Sequence, residues 1–444
     1  MGRFLLVLVL ILAFPTGSFS QQAGTAAEKR ELRQRLERLE EKQAAEEKQR
    51  KQETKELEEK TSTLAGEVEK SRLARFLPEK AELKSEYGLG PAASSVYHVK
   101  DGLSLAAYGE ATYRKFIHDI DGNKDQADML RFVTYVGYKF NDWILMNSEI
   151  EWEHAGGEVS VEFAYLDFLF SEQVNARGGL LLVPMGFINE IHEPPYFHGV
   201  RRPEVEQRII PSTWREMGVG LFGRLGSDLE YRTYLMNGLR GKRFGASSPL
   251  RSSRQKGNEA LIEDVAWTAR LDYTPSPVPG LFLGGSLWLG NSGQNETIGG
   301  KKPDAFTTLW EIHGQYKFRE LELRALGSWG HIDDAGTLSS GLGETIPERF
   351  YGWYVETAYN LLPSLFPGTG HYLAPYFRFE SFDTQAEVPS GFARVEGKDV
   401  DLYTVGLSYK PISNVILKLD YRNFDTKGPT NIADEFALGL GFAF

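Results

Sequence analysis

From residue 104 to the C-terminus the chain alternates apolar and polar positions with a period of two. That is the mark of extended strands whose two sides meet different surroundings. In "VAWTARLDY", Val265, Trp267, Ala269, Leu271 and Tyr273 share one side, and Ala266, Thr268, Arg270 and Asp272 the other. "VILKLDY" sets Val415, Leu417, Leu419 and Tyr421 against Ile416, Lys418 and Asp420. The final "EFALGLGFAF" sets Phe436, Leu438, Leu440, Phe442 and Phe444 against Ala437, Gly439, Gly441 and Ala443. A soluble sandwich would bury such rows against a second sheet. Here nearly every strand repeats the pattern and no helical stretch remains to cover it. The pattern therefore predicts an all-β transmembrane barrel of antiparallel strands, hydrocarbon outside and water within.

The connections give an independent check. We read about sixteen strands, the fifth over 174–189, the thirteenth over 371–382 and the last over 432–444. Alternate connections are tight, as at 141–142, 172–175, 226–227, 275–280 and 411–413. Most of those between them are long, as at 119–128, 190–215, 239–260, 291–303, 332–348 and 383–398. Short turns at one end and long loops at the other are the habit of outer-membrane barrels, whose strand number is even. Five of the eight tryptophans, Trp143, Trp152, Trp267, Trp310 and Trp353, fall on the expected lipid side, where interfacial aromatic girdles form.

Upstream the material changes. Residues 1–20 read as a signal peptide: Arg3, an apolar run from Phe4 to Phe14, and Ser18 and Ser20 as a small-x-small site. Residues 26–77 contain strong helix formers and, in "EKRELRQRLERLEEKQAAEEKQRKQETKELEEK", neither Pro nor Gly. Leu32, Leu36, Leu39, Leu57 and Leu64 follow spacings of three and four, so an N-terminal periplasmic coiled coil is expected, with a solvated single helix as the alternative. Pro78 ends the rod, 78–103 reads as linker, and 104–444 as barrel.

Composition narrows the chemistry. The formal net charge is −11, which argues against a basic footprint for nucleic acid. Cysteine is absent, which excludes disulfides and thiolate chemistry. His192, Glu193 and His198 match no established metal spacing, and in "DIDGNKD", 119–125, Gly122 comes too early for a calcium loop. No metal and no cofactor are expected. Phosphate-binding, nucleophile-elbow and metalloprotease motifs are missing too, so no enzymatic chemistry is expected.

The stretches "FVTYVGYKFNDWILMNSEIEWEHAG", "EFAYLDFLFSEQVNARGGLLLVPMGF", "RIIPSTWREMGVGLFG" and "FALGLGFAF" resemble, in that order, the phosphate-selective porins O and P of the outer membrane. The resemblance implies a water-filled channel for passive diffusion of small hydrophilic solutes or ions, and a homotrimer in the bacterial outer membrane. It makes Phe444 a signal read by the barrel assembly machinery. Outer-membrane lipid and lipopolysaccharide would surround the wall, and the rod could meet peptidoglycan, in which case the barrel is an anchor. One strand departs from the family: where its members read Gly-Gln-Phe-Lys-Val-Pro-Phe-Gly, residues 179–186 read "GLLLVPMG", with Leu180 and Leu182 in place of Gln and Lys. Phosphate or general anion selectivity therefore stands as an alternative to an unselective pore.

Alternation assigns the candidate pore-lining residues. An acidic wall comprises Glu149, Glu151, Glu153 and Glu162; Arg114, Arg232, Arg270, Arg324 and Arg378 stand elsewhere on the inside. Charges belong there because an Arg or Lys facing lipid at mid-membrane costs roughly 2–4 kcal/mol. The loop 190–216 follows the fifth strand as the third connection on the long-loop side, and by the resemblance it folds inward and narrows the channel. It carries Glu190, Glu193, Arg201, Arg202, Glu204, Glu206 and Arg208, and Pro194, Pro195, Pro203 and Pro211 stiffen it.

Overall fold

The computed structural model describes residues 26–73, 84–117, 123–429 and 432–444. The expected signal peptide, and most of the acidic stretch 119–125, lie outside the described residues. The chain divides near residue 74 into two compact units. Of the first, one helix is described, α1 (Ala26–Leu73). Its Leu39 and Leu57 are exposed on the single chain.

The second unit is a closed barrel of sixteen strands, each antiparallel to its neighbours in sequence. The strands are β1 (Gly102–Ile117), β2 (Gln126–Lys139), β3 (Ile144–Glu153), β4 (Glu158–Leu169), β5 (Asn175–Leu182), β6 (Arg215–Leu225), β7 (Leu229–Asn237) and β8 (Val265–Tyr273). They continue as β9 (Leu281–Asn291), β10 (Phe306–Phe318), β11 (Leu321–Ile332), β12 (Arg349–Tyr359), β13 (Tyr372–Glu387), β14 (Asp399–Ile412), β15 (Val415–Thr426) and β16 (Asp434–Ala443). β16 pairs with β1 to close the cylinder, Tyr108 opposite Ala443. Phe444 and Ala107 exchange both backbone hydrogen bonds at the seam, each 2.8 Å.

Closure leaves no strand edge unpaired, as a wall in hydrocarbon requires. The large apolar side chains stay on the outside: Leu438 and Leu440 of β16, Trp267 of β8, Trp310 of β10 and Trp353 of β12 are all exposed. The opposite row of β16 is small, with Ala437 and Ala443 buried. The even strand count and the alternation of short turns with long loops match expectation. Several boundaries shift, two of them by five residues or more. β13 runs five residues past its expected end, to Glu387, and β5 stops at Leu182 rather than 189. Pro184 lacks the N–H that a continuing strand needs, and Gly186 takes φ +68, so the chain leaves the wall there and enters the lumen.

Inside, the long loops build an apolar core of their own toward the long-loop end. Val183, Trp214, Leu239, Phe244, Leu250 and Leu338 pack with the inward Trp288, Leu309 and Phe350. The rings of Trp214 and Trp288 lie 4.5 Å apart. At the short-turn end the lumen holds a different occupant. Residues 84–101, expected as linker, fold back inside ahead of β1, with Leu89, Ala92, Ala93, Ser94 and Val96 buried. They include the one-turn helix α2 (Ser95–His98).

Candidate functional site

The connection 183–214 crosses the lumen and is held by inward side chains from around the barrel. His192 Nε2 lies 2.9 Å from Glu149 Oε1 of β3. His198 Nδ1 lies 2.9 Å from Glu356 Oε1 of β12. The Val200 N–H donates to Asp420 of β15 (2.6 Å), and the Val205 N–H to Glu380 of β13 (3.1 Å). Glu206 accepts from Tyr354 of β12 (2.7 Å) and from the Ile188 N–H (2.8 Å). The small inward face of β16 is the loop's seat. A Cβ on Gly439 would meet Val200, and one on Gly441 would press on Pro194. Gly352 of β12 likewise lies against Val205 and Ile209. These glycines were the sequence signal for an inward loop, because in a water-filled stretch of wall nothing requires their small size.

Most of the residues named from the sequence as lining the pore are buried in ion pairs. The acidic wall is met by arginines: Arg131 approaches Glu110 and Glu151 (3.4 Å each) and Glu153 (3.8 Å), and Arg215 binds Glu162 (2.5 Å). Arg232 lies 3.1 Å from Glu190 and also pairs with Glu230 and Asp272. Arg270 pairs with Asp272 (2.9 Å) and stands 3.7 Å from Glu190. Arg324 pairs with Glu322 (2.7 Å), and Arg378 with Glu356 (3.1 Å) and Glu380 (2.9 Å). Arg422, on β15, joins Glu204 of the loop (2.7 Å) to Glu435 of β16 (2.5 Å), which also holds Arg114 (2.7 Å). Arg208 closes back on Glu204 (2.7 Å). Arg131 and Arg177 were missed, though alternation within "MLRFVTYV" and "NARGG" places both on the inside.

Burial and neighbours bias the loop's ionisable groups. Burial disfavours the charge on Glu204, yet Arg422, Arg208 and Arg201 outweigh it and hold the carboxyl well below the usual carboxylate range. Glu193 goes the other way: burial pushes it up to about 8, against the pull of the Ala93 and Ala92 N–H groups that it accepts. Burial, with Arg202 and Arg131 nearby, drives His192 down to about 3, so the ring is neutral beside Glu149. His192, Glu193 and His198 turn to three different partners, Glu149, the Ala92 and Ala93 N–H groups, and Glu356. No metal-holding cluster occurs among the described residues.

Two cavities flank the loop. One, of about 390 Å³ at the long-loop end, is lined by Arg114, Arg201, Arg208, Arg251 and Arg422, with Glu204 and Glu435. Arg201 Nε is buried there without a hydrogen-bond partner. The other, of about 590 Å³ at the short-turn end, is lined by Tyr196, Phe197, His198, Lys317, Arg324 and Lys410, among others. Along the loop and along β15, the residues between the two cavities are Gly199, Val200, Lys418 and Asp420. Lys418 Nζ sits 3.5 Å from the centre of the Phe197 ring and has no hydrogen-bond partner.

No family model matches the chain. An uncharacterized protein of Aquifex aeolicus (strain VF5) is 38% identical over 379 residues, covering 81% of this chain and 83% of that protein. Among solved structures, OmpT of Vibrio cholerae in its trimer form is similar with a TM-score of 0.51 at 11% identity, covering 78% of this chain and all of that one. The outer membrane channel DcaP of Acinetobacter baumannii is similar with a TM-score of 0.50 at 14% identity, covering 77% of this chain and 97% of that one. OmpF of Salmonella typhi gives 0.50 at 13% identity, covering 78% and 98%. At such identities the likeness establishes a shared barrel fold.

Proposed function

We propose that this chain, which belongs to the same family as the Aquifex aeolicus protein, forms a passive channel for small hydrophilic solutes or ions across the bacterial outer membrane. The observation that carries the reading is the pair of charge-lined cavities, one at each end of a closed barrel, with the 190–216 loop between them. The path runs along β15, from the arginine-lined cavity past Val200 and Lys418 to the cavity at the short-turn end. In this reading the loop is the constriction and the short turns face the periplasm. The fold shared with outer-membrane porins and channels supports the barrel part of it. No turnover is assigned.

Further parts of the reading follow from the chain itself. Exposed Leu39 and Leu57 on α1 would be covered in a coiled coil with two sister copies, which suits a trimer. Phe444 is exposed at the seam where the barrel closes, which supports its reading as the residue that assembly machinery recognises. Anion preference gains support from Arg201, whose buried Nε has no hydrogen-bond partner, in a cavity lined by four further arginines. Phosphate as the preferred ion is not proposed, because Leu180 and Leu182 stand where the phosphate-selective family has Gln and Lys.

Single-channel recording of full-length protein in planar bilayers, under a salt gradient, tests the function. Stepwise conductance is expected, with a reversal potential displaced toward the anion. Silence from correctly folded protein would overturn the channel and leave a structural anchor.

A further inference from the structure

We propose that residues 84–98 are a resident plug that closes the β3–β7 side of the lumen at the short-turn end, and that its withdrawal opens a second path beside the one along β15. The proposal rests on the channel reading and deepens it. At this end the lumen divides in two: the 590 Å³ cavity lies on the β10–β15 side, and the folded-back segment fills the opposite side.

The segment adds no strand to the wall. Side-chain links hold it: Glu86 to Arg224 (2.5 Å), Tyr97 Oη donating to Asp167 (2.5 Å), and Asn147 Nδ2 donating to the Ala93 carbonyl (2.8 Å). The Ala92 and Ala93 N–H groups donate to Glu193 of the crossing loop (3.0 and 3.2 Å). The sequence "YGLGPAASSVYH", 87–98, is built mostly of small residues, with Leu89 and Val96 its aliphatic anchors and Tyr87 packed between Tyr97 and Phe222.

The wall behind the segment distinguishes a plug from a permanent core. Part of it is charged, and those charges stay paired when the segment is gone; beside them Leu89, Ala92 and Ala93 pack with Tyr108, Tyr135, Phe163 and Tyr165. Arg177 keeps two bonds to Asp167 (2.7 and 3.0 Å), Arg224 keeps Glu230 (3.3 Å), and Arg232 keeps Glu190 (3.1 Å) and Asp272. Water entering there would meet polar groups able to bind it. The long loops at the other end rest on Trp288, Leu309 and Phe350, which water would not solvate. The segment joins β1 through residues 99–101, which add no strand to the wall, and β1 begins at Gly102 with φ +80.

Three variants test this in bilayers, all in the full-length, cysteine-free background. Deletion of residues 84–98 is expected to raise single-channel conductance about twofold, as the filled side opens. Glu86→Gln with Tyr97→Phe removes a charge pair and the Tyr97 hydrogen bonds but keeps the shapes; the fraction of time in the upper conductance level should rise about tenfold. Ser95→Cys with Ser104→Cys replaces hydroxyls 2.9 Å apart, and the oxidised pair should abolish the upper level until reductant restores it. If the deletion variant does not fold, the other two decide. A folded deletion variant with wild-type conductance, or an oxidised pair that still reaches the upper level at the wild-type rate, would overturn the plug alone. Silence from every variant and from the wild type would take the channel down with it.

Discussion

At the scale of single residues, the lumen is governed by what happens when one partner of a buried charge network is removed. Arg422 is fully enclosed and bridges Glu204 and Glu435. Arg422→Ala takes one partner from each of two buried carboxylates, leaving Glu204 with Arg208 and Glu435 with Arg114, and should cost about 1–3 kcal/mol, read as a lower unfolding midpoint in detergent. Arg349 and Glu387 form a similar pair at 3.0 Å, but both are more than half exposed, and Arg349→Ala should change stability by less than ~0.5 kcal/mol. Glu193 gives a pH test. Its carboxyl is raised from 4.5 to about 8 in the folded protein, so its contribution to stability is complete below pH 4.5 and is lost as pH rises through about 8. Glu193→Gln keeps an acceptor for the Ala92 and Ala93 N–H groups and should flatten stability across that window; an unchanged slope would rule the assignment out. Alternation sets Glu149, Glu151, Arg232 and Arg378 on the side of their strands opposite the large apolar residues. It could not say that they would be paired, because partners such as Arg131 and Glu151 are set by register between strands, and register is a property of the closed sheet.

At the scale of elements, the wall was legible and its fillings were not. A period of two survives in every strand that has lipid on one side, so β8, β15 and β16 could be read directly. β5 was read too long because Leu180, Leu181, Leu182 and Val183 are all apolar, and a continuous run conceals the point where alternation stops. Residues 84–98 looked like linker because their anchors, Asp167, Glu193 and Arg224, lie roughly 70 to 140 positions away in sequence, beyond any local pattern. Glycines carry the missing information. Gly352 has Ile209, Val205 and Phe382 about 3 Å from where a Cβ would stand, so Gly352→Val must push the crossing loop off the wall. We expect a loss of about 1–3 kcal/mol together with noisier conductance. Gly368, in an open turn with nothing nearby, is a poor site for the same effect, and Gly368→Asn should be close to neutral in both measurements.

For the whole molecule, the sign of the charge depends on where it is measured. The chain carries a formal −11, yet the cavity at the long-loop end gathers five arginines against two carboxylates. At Arg201, burial and the nearby Arg114 and Arg422 guanidiniums work against the ionised form and outweigh Glu204 and Glu435. An anion entering beside it would relieve that repulsion, while a cation would add to it, so the cavity should filter by sign even though the protein's overall field favours cations. Arg201→Ala should therefore move the reversal potential in a KCl gradient toward potassium. The shift should be larger near 0.1 M than near 1 M salt, because the screening length falls from about 10 Å to about 3 Å over that range. Arg319→Ala, at the opposite end, provides the comparison, since it changes net charge equally from outside the cavity. Equal shifts from the two variants would mean that overall charge, rather than this cavity, sets the preference.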